Sequence, residues 1–96
     1  MSPENKKKLD QIRKKLDKLD NQLLSLIKIR TGLVNNVIKL KQHKKEIVDK
    51  KRIRNILSKI KQKSIKLNID PKITYRIWKN MIWSYINYEK KNFKKK

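Results

Sequence analysis

Between Leu9 and Leu40 the chain places aliphatic side chains at Leu9, Ile12, Leu16, Leu19, Leu23, Leu26, Leu33, Val37 and Leu40. The steps alternate three and four residues, the heptad spacing of a helix with one apolar seam. Four residues after Leu26 the pattern asks for another aliphatic and meets Arg30 instead. A helix from Ser2 to about Lys41 reaches about 57 Å at 1.5 Å per residue. A compact chain of 96 residues is only about 32 Å across. The rest of the chain cannot cover such a rod, so the seam predicts a dimer in which two long helices pair.

The boundaries are written in capping residues. Ser2, Pro3 and Glu4 supply a capping hydroxyl, a proline at the first helical position and an acid at the positive end of the dipole. Gly32 is the single glycine, and close helix packing is its expected reason. The pattern lapses from Gln42 to Val48. Asp49 then offers an N-cap, with Val48 and Ile53 placed as a hydrophobic staple. A second, shorter helix should bury Ile53, Ile56, Leu57, Ile60 and Ser64 and stop around Leu67 to Ile69. Asp70 and Pro71 open a third. Its expected inner stripe runs Thr74, Ile77, Trp78, Met81, Ile82, Tyr85, Glu89 and Phe93, which puts a carboxylate on a buried-looking face. Residues 90–96 read as a lysine-rich fraying end anchored by Phe93. The fold class is all-α, three helices in one domain over 1–96, long, short and medium.

The net charge of +21 suggests nucleic acid or an anionic membrane. However, 24 of the 29 basic residues are lysines spread over every polar face, which reads as solvated surface and makes the five arginines the informative cations. No groove-reading motif accompanies them, so no specific nucleic-acid partner is expected. No apolar run approaches the 18 to 20 or so residues of a membrane span. The N-terminal stretch lacks the apolar core of a signal peptide, and a cytoplasmic protein is expected. Without cysteine, and with His43 as the single histidine, neither thiolate chemistry nor a metal site is expected.

Cations on apolar faces remain. Arg30 and Lys41 are eleven residues apart, so they point within about 20° of each other on one helix. Arg13, seventeen residues before Arg30, is turned by about 100° and lies some 25 Å away. It cannot serve the same pocket within one chain, but an antiparallel partner's Arg13 can. The result would be an anion site assembled from two subunits.

The run Ile12-Arg13, Leu16-Asp17-Lys18-Leu19-Asp20, Leu23-Leu24-Ser25-Leu26, Arg30, Leu33 and Lys41 closely resembles the first helix of the all-helical, intertwined dimeric chorismate mutases. Val48-Asp49-Lys50-Lys51-Arg52 resembles the start of that family's second helix, and Ile69-Asp70-Pro71 through Trp78, Ile82 and Tyr88-Glu89 resembles its third. The resemblance implies an intertwined homodimer of the type II mutase fold. It would rearrange chorismate to prephenate in aromatic amino-acid biosynthesis, the shikimate route, without cofactor or metal. It further implies that Arg13 of one subunit and Arg30 of the other bind the substrate carboxylates, since planar guanidinium groups suit carboxylates. Lys41 would donate to the ether oxygen, Arg52 would lie beside the carboxylates, and Asp49 near the ring hydroxyl.

Two positions depart from the family pattern. Ile53 stands where well-known members carry a glutamate that contacts the ring hydroxyl, an aliphatic choice shared with related isochorismate pyruvate-lyases. Glu89 stands where a glutamine amide often donates to the ether oxygen, and a carboxyl donates only when protonated. Tyr85, at a position often small and polar, is expected to narrow the pocket. The alternatives are the lyase reaction on the same fold and a basic helical protein that binds nucleic acid.

Overall fold

The computed structural model describes residues 1–94. It contains three helices, α1 (Pro3–Leu40), α2 (Lys50–Lys66) and α3 (Pro71–Asn92), with a single 3-10 turn at Lys44–Glu46 between the first two. No strand occurs among the described residues. The all-α reading therefore holds, with helices of 38, 17 and 22 residues. Contacts divide the chain into two compact units, Met1–Leu33 and Val34–Lys96.

In the first unit the helix begins as its capping residues dictate. Ser2 Oγ accepts from the Asn5 N–H at 3.1 Å, and the Ser2 carbonyl accepts from Lys6 at 2.9 Å. No residue of this unit is buried; Leu9, Arg30 and Thr31 are half-buried. Of the aliphatic seam, Ile12, Leu16, Leu19 and Leu23 are 52 to 54% exposed. At Gly32 a Cβ would meet nothing within 4 Å. Close packing within the chain is not the reason for the glycine.

The second unit holds the core. Ile47, Ile82 and Ile86 are buried together, with Val48, Ile53, Ile56, Leu57 and Phe93 packed around them. Asp49 caps α2 by accepting from the Arg52 N–H at 3.0 Å. Val48 and Ile53, on either side of that cap, both reach the core, as the staple requires. The expected inner face of α2 is observed, with Ile53, Ile56, Leu57 and Ile60 half-buried and Ser64 buried.

The turn from α2 to α3 is closed by backbone geometry. Asn68 adopts φ 57°; its N–H donates to the Ile65 carbonyl at 3.1 Å, and the Ile69 N–H reaches the Ser64 carbonyl at 2.9 Å. This paired bonding around a left-handed residue is the Schellman motif, and asparagine accepts that conformation more readily than most side chains. Beneath the turn Ser64 Oγ donates to the Ile60 carbonyl at 2.6 Å and lies 2.7 Å from Thr74 Oγ1, both hydroxyls being buried. The Thr74 hydroxyl also reaches the Pro71 carbonyl at 3.3 Å, and either hydroxyl can be the donor between the two. Asp70 then caps α3 by accepting from the Lys72 N–H at 3.0 Å.

Along α3 the expected stripe is buried or half-buried except at one edge. Thr74, Ile82, Ile86 and Glu89 are buried, while Ile77 is 52% exposed. Ile77 lies about 60° behind Thr74 around the helix, whereas Trp78, Ile82 and Glu89 lie about 40 to 80° ahead of it; the face packed on α2 is centred on the latter. The fraying end was expected to begin at Lys90, but the helix continues through Lys90 and Lys91 to Asn92. Phe93 packs on the core. Lys95 and Lys96 of that expected end lie outside the described residues.

Candidate functional site

Helix α1 ends at Leu40, and Lys41 is tied to its last turn by an N–H bond to the Val37 carbonyl at 3.2 Å. Its side chain turns to α3, where Nζ lies 3.3 Å from Glu89 Oε1. The two side chains are 21% and 9% exposed. A buried carboxylate needs such a partner, because leaving water unpaired costs several kcal/mol per ion. The structure thus brings together the two residues that the sequence singled out as a cation beyond the seam and an acid on an apolar face.

Next to Glu89, the Tyr88 hydroxyl donates to Asn35 Oδ1 on α1 at 2.7 Å. The Tyr88 ring meets the Tyr85 ring edge-on, with centroids 6.4 Å apart and planes at 90°. Tyr85 is half-buried. Neither Asn35 nor the Tyr88 hydroxyl carried a signal in the sequence beyond proximity to Lys41 and Glu89. Asparagine inside a helix is a weak helix former, and that was the only available hint.

At the start of α2, Asp49 and Arg52 are exposed and Ile53 is half-buried. Asp49 Oδ1 is engaged as the helix cap. Ile53 turns toward Ile47, Ile82 and Ile86, so its side chain belongs to the core and offers no polar group at that position. Arg13 and Arg30 both lie in the Met1–Leu33 unit, Arg13 exposed and Arg30 half-buried.

The 3-10 turn carries a second acid. Glu46 Oε2 accepts from the Gln42 N–H at 2.8 Å and from the His43 N–H at 3.3 Å. These two backbone donors, Gln42 foremost, hold the Glu46 carboxyl below the usual carboxylate range. No group of three or more His, Cys, Asp or Glu among the described residues is placed to hold a metal ion. No helix among them is long and apolar enough to cross a membrane.

The chemistry open to this arrangement is non-covalent. An ammonium and a carboxyl face each other in a partly dry setting. Compared with known families, residues 12–90 match the family model described as chorismate mutase type II. That span includes all eight candidate site residues, from Arg13 to Glu89. No curated protein and no solved structure matches the chain.

Proposed function

Because the chain belongs to the chorismate mutase type II family, we propose that it catalyses the pericyclic rearrangement of chorismate to prephenate, as a cytoplasmic enzyme of aromatic amino-acid biosynthesis. The observation that carries the reading is the meeting of Lys41 Nζ and Glu89 Oε1 at 3.3 Å. These are the positions where the family resemblance puts the two donors to the ether oxygen.

The reaction breaks one carbon–oxygen bond and forms one carbon–carbon bond within a single molecule. The protein's task is to hold the flexible dicarboxylate in its compact conformer and to stabilise charge developing on the ether oxygen. Arg30, together with Arg13 of a second subunit, binds the carboxylates, with Arg52 beside them and Asp49 near the ring hydroxyl. Lys41 leaves Glu89 to donate to the ether oxygen. Glu89 donates there in its protonated form, and Tyr85 narrows the space beside it.

The homodimer is part of the same proposal. The Met1–Leu33 unit has no buried residue of its own, and most helical stability in proteins comes from packing an apolar face. Burying one exposed leucine is worth about 1.5 to 3 kcal/mol, so the seam of Ile12, Leu16, Leu19 and Leu23 gives a second copy ample reason to pair.

A second reading has one observation in its favour. With Ile53 drawn into the core, no carboxylate from that position contacts the ring hydroxyl, and the isochorismate pyruvate-lyase reaction fits such a pocket. Incubating the protein separately with chorismate and isochorismate, and separating the products chromatographically, decides the matter. Prephenate from the first supports the mutase; salicylate and pyruvate from the second, with chorismate untouched, replace it with the lyase.

A further inference from the structure

We propose that Tyr88, bonded to Asn35, is the positioning residue that holds Glu89 opposite Lys41 and Tyr85 at its place beside them. The catalytic part of this proposal rests on the mutase reading above.

Side-chain bonds between the end of α1 and α3 within the Val34–Lys96 unit include Lys41 to Glu89 and Tyr88 to Asn35. The apolar cluster that unites α2 with α3 takes no member from α1, and Ile38 is the buried residue that α1 contributes. These two ties therefore help to set the register of α3 against the end of α1. Tyr88 and Glu89 are successive on α3 and point about 100° apart; Asn35 and Lys41 are separated by about 9 Å of rise and about 120° of turn. One bond alone leaves α3 a pivot. Two bonds in different directions remove it.

The two bonds differ in kind. At 2.7 Å the tyrosine bond sits at the commonest length for a hydroxyl donor. At 3.3 Å the ionic contact is longer than the roughly 2.7 to 2.9 Å of a well-formed charged pair. The lysine stem is also flexible, with an ammonium that rotates freely. The neutral bond therefore fixes the geometry, and the ionic one is free to open for a substrate. Tyr88 also meets Tyr85 in an edge-to-face contact at 6.4 Å, a favourable arrangement for aromatic pairs. One side chain thus sets two of the α3 residues assigned to the pocket.

The test uses Tyr88→Phe, Asn35→Leu and Asn35→Asp, the last keeping an acceptor for the tyrosine. Each is assayed with chorismate for kcat and KM, and by NMR for the NOE between the Lys41 ε-protons and the Glu89 γ-protons. Expected for Tyr88→Phe and Asn35→Leu is a kcat loss of about tenfold, since small misplacements of catalytic groups are costly. KM should stay within about twofold, and the NOE should weaken. The double variant Tyr88→Phe with Asn35→Leu should be no worse than either single one, and Asn35→Asp should retain both kcat and the NOE.

An undiminished NOE in Tyr88→Phe overturns the proposal whatever kcat does, and so does an unchanged kcat with the NOE lost. If Tyr88→Phe fails to fold, the comparison of Asn35→Leu with Asn35→Asp decides by the same criteria. If the wild-type protein leaves chorismate unchanged, the mutase reading falls. The NOE then judges the positioning of Lys41 and Glu89 alone.

Discussion

Lys41 Nζ and Glu89 Oε1 stand 3.3 Å apart, the lysine just beyond the last turn of α1 and the glutamate in the last turns of α3. In the proposed mechanism both must redirect toward the substrate and donate to its ether oxygen. A glutamine amide donates without needing the proton that a carboxyl must hold, so Glu89→Gln should keep or raise kcat/KM, whereas Glu89→Leu, with no donor, should lower it by about 10². Lys41→Met should lower kcat/KM by about 10² to 10³. Wild-type kcat/KM in Glu89→Leu would remove Glu89 from the chemistry.

Arg13 and Arg30 offer a test that depends on subunit exchange. In a two-fold dimer whose sites each take Arg30 from one copy and Arg13 from the other, Arg13→Ala and Arg30→Ala should each be nearly inactive. Refolding them together at equal amounts should restore about a quarter of wild-type activity, because half of the dimers are mixed and each mixed dimer keeps one intact site. No recovery, with mixed dimers verified by mass spectrometry, would mean that Arg13 does not act across the interface.

Ser64 and Thr74 make a buried hydroxyl pair at 2.7 Å. Removing one leaves the other short of its partner, so Ser64→Ala and Thr74→Val should each cost about 1 to 2 kcal/mol in denaturant unfolding. The bond between them can be lost only once, so the double variant should be less damaged than the sum by about 1 kcal/mol. Strict additivity would show that the two hydroxyls do not depend on each other.

Glu46 titrates below the ordinary carboxylate range because the Gln42 and His43 N–H groups bond its ionised form. A depressed carboxylate stabilises the folded state above its unfolded value, and that contribution disappears as pH falls through the folded one. The amide resonances of Gln42 and His43 should shift together with the Glu46 carboxyl on acidification, and Glu46→Gln should abolish the shared transition. Separate midpoints would disconnect the turn from this acid.

Much of the fold was legible because helix starts depend on local chemistry. Ser2, Asp49 and Asp70 all cap where the sequence put them. The inner face of α2 followed the same helical period. What periodicity could not reach was Ile47, 3% exposed within the stretch where the heptad pattern lapses, because a 3-10 turn buries a side chain without a repeating face. Along α3 the expected stripe was right apart from its edges, where Ile77 was expected inside and Ile86, 4% exposed, went unnoticed. Lys41 and Glu89 stood out as charges in apolar company. The bond between Tyr88 and Asn35 joins residues 53 positions apart, and nothing in their local sequence chooses that partner over another.

The bare surface of the Met1–Leu33 unit has a consequence for how the protein comes into being. The α2–α3 hairpin is built from contacts close in sequence and can form quickly within one chain. The leucine seam of α1 finds no such cover there, so on the proposed pairing the last stage of maturation is an encounter between molecules. Its rate then rises with the square of chain concentration, and the fraction of assembled protein falls on dilution. How much of the chain the cell makes would decide how many molecules work, and also what share of them does.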